Sequence, residues 1–311
     1  MSPSTTFVPA RQLAERLAAE PKLPVLCLLP PEVHAAKRLP GAACTCVYEV
    51  IFPQLVAKAA PDPARTVAVY GAGEGSRDSH AAAAKLAALG YGDVLVLEGG
   101  IEAWERAGLP LEGGAAAVPL VDAAVLQPVP GTYRLRPGEC SLEWVGRNRK
   151  NRHHGSAAIE SGELVFEPET MRGTVRVDMT SLRNHDLEDP ELNTLLVTHL
   201  SSEDFFLTAL FPKARLEITD TVPLPSATPG TPNRQVHARL ELRGVTRPLC
   251  FPATFARTDE GLLTAEAHFD LDRTLWGADY GSGRLYRFLG YHLVYDDVSV
   301  SVSLNAELVT P

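Results

Sequence analysis

The chain of 311 residues contains no run approaching the roughly 20 consecutive apolar residues that a membrane-spanning helix needs, so no such span is expected. Its opening residues, MSPSTTFVPARQL, lack the basic start and apolar run of a secretory signal. Positive charge is in deficit: 29 Lys and Arg against 38 Asp and Glu leave a net charge of −9, and no global field draws in nucleic acid. Cysteine is sparse, five residues scattered through the chain, an odd count that argues against a disulfide framework and for free thiols in a reducing compartment. These absences together lead us to expect a cytoplasmic protein without stable membrane insertion or a nucleic-acid partner. Also missing is any obvious catalytic constellation. No nucleophile–base pair or poised carboxylate pair stands out, and Asp186, Glu188 and Asp189 read as a loop flanking Pro190. The histidines His153, His154, His185 and His199 fit no compact metal-ligand spacing. We therefore nominate no catalytic residue, no metal ligand and no required cofactor.

What is present is enough for two domains, since the length exceeds that of a typical single one. In the first part, short apolar runs alternate with helical patterns. Arg11 to Glu20 has helical spacing, Val25 to Leu29 reads as a strand, and Thr66 to Tyr70 is a continuous apolar strand of the kind buried on both faces of a parallel sheet. An alanine-rich helix from His80 to Leu89 and a strand from Val94 to Leu97 follow, which predicts a small layered α/β domain over residues 1–113. Small residues and prolines, GGAAAVPLVDAAVLQPVPG, then suggest a semi-extended linker over 114–128 that limited proteolysis would cut to leave two compact fragments.

From residue 129 to 311 the pattern changes to long alternating segments: Gly131 to Trp144, Glu163 to Phe166, Gly173 to Met179, Lys213 to Thr219, Gln235 to Leu242, Leu262 to Leu271 and Asp297 to Leu308. In the last, Val298, Val300, Val302, Leu304 and Ala306 share one face and serines hold the other. About eight such strands without helical crossovers indicate an antiparallel sandwich or barrel.

The stretch around which this second part is organised runs from Val197 to Leu216: a short helical turn at Thr198 to Ser201, then Phe205, Phe206 and Phe211, then Pro212 and an alternating strand. Neighbours on an extended segment point opposite ways, so one of Phe205 and Phe206 is expected to face the interior and the other to anchor the turn. The order His199-Leu200-Ser201-Ser202 with Asp204-Phe205-Phe206, then ARLELRGVTRPLCF from Ala238, LDRTLWG from Leu271, and the closing strand from Asp297, resembles the YceI-like family of polyisoprenoid-binding proteins. The resemblance implies an all-β antiparallel lipocalin-like barrel holding an apolar isoprenoid ligand such as a quinone or polyprenyl lipid. Barrels of about eight strands lie at the border between a packed interior and one that holds a small ligand. Candidate ligand-binding residues are Trp144, Phe166, Met179, Phe205, Phe206, Phe211, Phe269 and Trp276; any one of them taken singly reads as core, and it is the resemblance that implies a cavity among them. The basic run from Arg147 to His154 reads either as a solvated hairpin or as a mouth attracting a head group through Arg149, Arg152 and His154.

In the first part, LPGA at Leu39 to Ala42, the strand-loop-helix at Val67 to Lys85 and LGYGDVLVLEGGIEAWERAGLPLE from Leu89 are similar to the rhodanese-like family. In that family the loop after the TVAVY-type strand opens with the sulfur-carrying cysteine, and the matching position here is Gly71. The domain is thus expected to be an inactive rhodanese fold, because glycine supplies no thiolate. Its loop N–H groups at a helix N-terminus, around Gly71, Gly73, Gly75 and Arg77, would still favour an anion, and the domain could instead engage a protein partner. The same glycines imitate a dinucleotide fingerprint, but with G-x-G-x-G spacing rather than G-x-G-x-x-G. Two alternatives stay open: a sulfurtransferase or redox enzyme using Cys44 and Cys46, placed on one strand face by their spacing, and a stress-related interaction protein with a filled barrel.

Overall fold

The structure, a computed structural model, describes residues 4–114, 128–225, 227–228, 230–258 and 260–310. The chain forms two compact units, Met1–Leu120 and Val121–Pro311. Residues 115–127 of the expected linker lie outside the described residues.

The first unit is a five-stranded parallel sheet in the order β1-β5-β4-β2-β3, with strands β1 Ser4–Val8, β2 Val25–Cys27, β3 Ala43–Cys44, β4 Val67–Tyr70 and β5 Asp93–Leu97. Its helices are α1 Ala10–Ala19, α2 Pro31–Ala36, α3 Phe52–Ala59, α4 Asp78–Ala88 and α5 Gly100–Arg106. Every residue of β4 is buried, as a continuous apolar run between two helical layers requires. One apolar cluster includes Leu13, Tyr70 and Trp104, the other Phe52, Leu86 and Tyr91. Sequence patterning had not marked β1, four of whose five residues are exposed, or α3, which follows the turns after Cys46.

Among the described residues the second unit has nine strands: β6 Gly131–Leu135, β7 Ser141–Arg147, β8 Arg152–Phe166, β9 Met171–Asn184, β10 Lys213–Pro223, β11 Arg234–Leu242, β12 Val245–Arg257, β13 Leu263–Asp272 and β14 Asp297–Thr310. Each antiparallel neighbour pairs with the next, and β13 pairs with β14 to close the sheet. Strands β6 and β7 both lie between β14 and β8, β6 against Thr310–Ala306 and β7 against Ser303–Ser299. They share one lane, broken by a 3-10 turn at Pro137–Glu139, so the barrel has eight lanes. The proline at 137 cannot donate to a ladder, which explains why the expected single strand is two. The helix α6, Pro190–Ser201, is longer than the turn expected: Asp189 caps it by accepting the Glu191 and Leu192 N–H groups, and Pro190 starts it.

One end of this barrel is packed solid. Tyr133, Leu164, Phe166 and Met171 are buried there, and the buried Arg234 guanidinium lies over the Phe166 ring at 5.2 Å while donating to the Glu169 carbonyl at 2.8 Å. The other end, formed by the β7–β8 hairpin, α6 and the segment from 278 to 295, leads into a hollow.

Candidate functional site

The hollow is a cavity of about 400 Å³ inside the barrel. Its wall comes from inward positions on nearly every strand: Ile159 of β8, Val175 and Val177 of β9, Ala214 and Ile218 of β10, Leu240 of β11, Phe251 and Ala253 of β12, and Val298 to Leu304 of β14. The period-2 alternation of each strand puts these side chains on one face. Small residues at 157, 214, 253 and 265 leave the volume unfilled where larger ones would close it. Polar groups gather at one end, where Arg147, Asn148, His153, His199, Tyr280 and His292 reach the cavity. The Phe251 and Phe269 rings stack at 4.4 Å in its wall.

Of the eight residues expected to bind ligand, Trp144, Met179, Phe205, Phe206 and Phe269 line this cavity. Phe166, Phe211 and Trp276 do not. Phe166 lies in the packed end beneath Arg234. Phe211 packs on Gly244, whose φ of +71° and absent Cβ leave room for the ring at the β11–β12 corner. Trp276 is fully buried with its indole N–H donated to the Leu240 carbonyl at 2.9 Å. Alternation identifies the inward face but not the depth along the barrel. Phe205 and Phe206 also correct the expectation of opposite orientations: residues 202–206 form turns rather than a strand, and both rings reach the cavity, 6.4 Å apart. Among the described residues the buried Trp144 indole N–H has no hydrogen-bond partner.

A buried arginine, which the sequence had marked only as part of a family signature, organises the polar end. The Arg273 guanidinium is 1% exposed and donates to the carbonyls of Tyr295 (3.1 Å), Tyr280 (2.8 Å), Val294 (3.3 Å) and Ala278. It lies 5.3 Å above the Phe205 ring, and Phe205 packs against His199 and Tyr280. Burial lowers its pKa, opposed by Asp296 and Asp279. On the other side of the mouth, Asp186 ties the two strand ends together. Burial alone would raise its carboxyl, but it accepts from the His154 N–H, His153 and the Asn184 amide, which bring it down to about 2.

Among the head-group candidates, Arg149 and Arg152 are exposed on the hairpin and His154 is half-buried; none lines the cavity, whereas Arg147, Asn148 and His153 do. The basic run lies in the β7–β8 hairpin, and the sequence does not tell which of its side chains turn inward. His153 and His154 contact Asp186, and His199 pairs with Asp204. Among the described residues no three metal-ligating side chains converge.

In the first unit, the loop after β4 is occupied by the protein's own carboxylate. Asp78, at the first turn of α4 and buried, accepts the Ala72 N–H at 2.8 Å and the Ser79 N–H at 2.7 Å. A Cβ on Gly71 would overlap this carboxylate, and one on Gly73 would overlap that of Glu102. The expected anion site at Gly71, Gly73, Gly75 and Arg77 is corrected accordingly: an internal anion stands where an external one would sit, and Arg77 is exposed. Cys44 is on β3 in register with Cys27 of β2, and Cys46 lies past the end of that strand, 3% exposed. Burial raises the thiols of Cys27 and Cys44, which disfavours the thiolate a nucleophile needs.

A family model described as YceI-like domain matches residues 133–306, and one described as Rhodanese-like domain matches 10–107. Similar solved structures include BcnA of Burkholderia cenocepacia, 17% identical over 56% of this chain and 99% of its own, with a TM-score of 0.44. A polyisoprenoid binding domain from Saccharophagus degradans is 14% identical over 57% and 98%, with a TM-score of 0.41. A thiosulfate sulfurtransferase from Pseudomonas aeruginosa is 27% identical over 35% of this chain and 20% of its own, with a TM-score of 0.31. No curated protein matches. No helix among the described residues is long and apolar enough to cross a membrane.

Proposed function

The chain belongs to the YceI-like family, with a rhodanese-like domain ahead of the barrel, and from that premise we propose that the barrel binds a polyisoprenoid or similar long apolar ligand, a quinone or polyprenyl lipid. The observation that carries this reading is the cavity of about 400 Å³ with an apolar wall and polar groups at one end, which suits a tail inside and an oxygen-bearing head at the mouth. At about 0.8 kcal/mol per buried CH₂, ten buried carbon units would contribute on the order of 8 kcal/mol before the costs of association. The hollow speaks against the filled-barrel alternative. The rhodanese-like domain acts in this reading as a non-catalytic module whose partner is a protein. Its lack of a thiol at Gly71, the internal Asp78 carboxylate and the protonated state favoured for Cys27 and Cys44 support that role over sulfur transfer. All five cysteines are free, which supports residence in a reducing compartment such as the cytoplasm.

Native mass spectrometry of the purified chain, followed by organic extraction, tests the binding role. An extractable isoprenoid is expected from the parent and not from Ala253→Trp, which places an indole in the cavity wall. No mass excess after incubation with a quinone or polyprenol, in a parent chain that is folded, refutes it.

A further inference from the structure

The open end of the barrel presents a surface that ligand binding alone does not account for. Phe288 is wholly exposed, 101%, and holds a φ of +62°, a region that bulky side chains rarely enter. Tyr291 is 83% exposed, and Leu285 and Tyr286 stand out of the same segment. A fully hydrated phenylalanine gains nothing from burial while its left-handed backbone costs stability, and such strain is retained where the surrounding structure or a function requires it.

This segment and the β7–β8 hairpin are adjacent. Asn148 bridges Val294, the Tyr295 N–H donates to the Arg147 carbonyl at 2.9 Å, and residues of both line the cavity mouth. Residues 146–155 carry Arg147, Arg149, Lys150 and Arg152 with no carboxylate, and residues 281–295 carry Arg284 and Arg287 with none. Against a chain of net charge −9 this is a local segregation of positive charge. Arg284 is neutralised by Asp272 and Asp296. Arg149, Lys150, Arg152 and Arg287 are exposed and, among the described residues, form no ion pair. Helix α6 borders the same opening, with His199 edge-on to Tyr280 at 4.7 Å and Leu195 65% exposed. The start of α6 brings three exposed acids to this end, Glu188, Asp189 and Glu191, of which Asp189 caps the helix, so the positive charge is confined to the basic hairpin and the aromatic segment, and these define the favoured approach.

Exposed aromatics beside unpaired cations match the two layers of an anionic lipid surface: rings settle at the boundary of head groups and acyl chains, and cations meet the phosphates. We infer that this end of the barrel docks on an anionic phospholipid bilayer, with Phe288 and Tyr291 entering the interface and Arg149, Lys150, Arg152 and Arg287 facing lipid phosphates. The cavity mouth would then open toward the phase in which an isoprenoid dissolves. This goes beyond the binding role and is separable from it, because vesicles free of isoprenoid report docking alone.

The test is co-sedimentation of the full chain with vesicles of phosphatidylcholine, with and without phosphatidylglycerol. Binding is expected to the phosphatidylglycerol vesicles and to fall with added salt. Each cation near an anionic surface is worth about a fivefold change in partition, so Arg149→Gln with Lys150→Gln should weaken binding on the order of twentyfold. Phe288→Ser with Tyr291→Ser should reduce it at both low and high salt. Circular dichroism verifies folding of each variant, and Arg287→Gln serves as a second charge variant if the hairpin pair misfolds. Failure of the parent to bind phosphatidylglycerol vesicles, or folded variants that bind as the parent does, overturns the inference and leaves a soluble protein as the occupant to seek.

Discussion

Replacing Arg273 by methionine is the most informative perturbation of the cavity mouth. The guanidinium is buried and its nearest carboxylate, Asp296, is 4.0 Å away, so its charge is met chiefly by the carbonyls of residues 278, 280, 294 and 295. Methionine keeps most of the apolar stem but donates nothing and removes the guanidinium that lies over Phe205. Four carbonyls lose a charged donor; at about 1 kcal/mol for each acceptor left poorly satisfied, the loss is about 4 kcal/mol, within the 3–5 kcal/mol range for breaking a buried charged interaction. For a unit of this size that corresponds to a fall of roughly 8–16 °C in the barrel's transition. The loss should also be local. All four carbonyls belong to the segment over the mouth, so hydrogen exchange followed by mass spectrometry should show faster exchange between 278 and 296 and little change in β9 or β10. Lysine at 273 should recover little, because an ammonium has three donors and lacks the planar fork. A methionine variant that melts within about 2 °C of the parent, or whose segment 278–296 exchanges no faster, would refute the assignment of this side chain as the clamp of the mouth.

Three further outcomes are expected. Thiosulfate:cyanide turnover should be absent in the parent and in Gly71→Cys, because the new side chain meets Asp78; in the pair Gly71→Cys with Asp78→Ala the thiolate should take the outer sulfur of thiosulfate, with sulfite leaving, to give a persulfide detectable by mass spectrometry, and its formation in the single variant would contradict the described loop. Asp186 should contribute about 2 kcal/mol at neutral pH: its folded carboxyl at about 2 lies below the ordinary 3.8, so the stabilisation is present above pH 4 and fades as pH falls toward 2. Denaturant titrations of Asp186→Asn should then start lower and be flatter over that window, and parallel curves for variant and parent would argue against it. Trp144→Phe removes the unpartnered indole N–H, and should weaken a carbonyl-bearing isoprenoid about fivefold, the value of one hydrogen bond, while leaving a pure hydrocarbon such as squalene unaffected in competition assays.

Both fold classes could be read from the chain because their signals are local. The buried run of β4 and the alternation of Val298 to Ala306 in β14 reflect one repeat each, and that repeat is what the backbone imposes. Depth and closure are not local. Phe166 and Trp144 alternate alike, yet one is in the packed end and the other lines the hollow, since what decides is the register of β8 against β9 and of β7 against β14. The mouth is assembled from residues near 150 and near 290, joined only by the folded sheet, so neither stretch announces the other. Helix α6 had a readable start in Asp189-Pro190; its weak amphipathic character and the aromatic stretch behind it drew attention to the turn at its end. Phe205 and Phe206 misled because two adjacent aromatics before an alternating strand look extended, while four successive turn residues leave both rings facing the same space.

The carboxylate folded into the loop of the first domain has a consequence for what single changes can achieve there. A cysteine introduced at Gly71 collides with Asp78, and removing Asp78 first leaves the Ala72 N–H without its acceptor and still no nucleophile. The two positions are therefore coupled: a cysteine at 71 has to displace the Asp78 carboxylate from the loop N–H groups before those groups can hold sulfur.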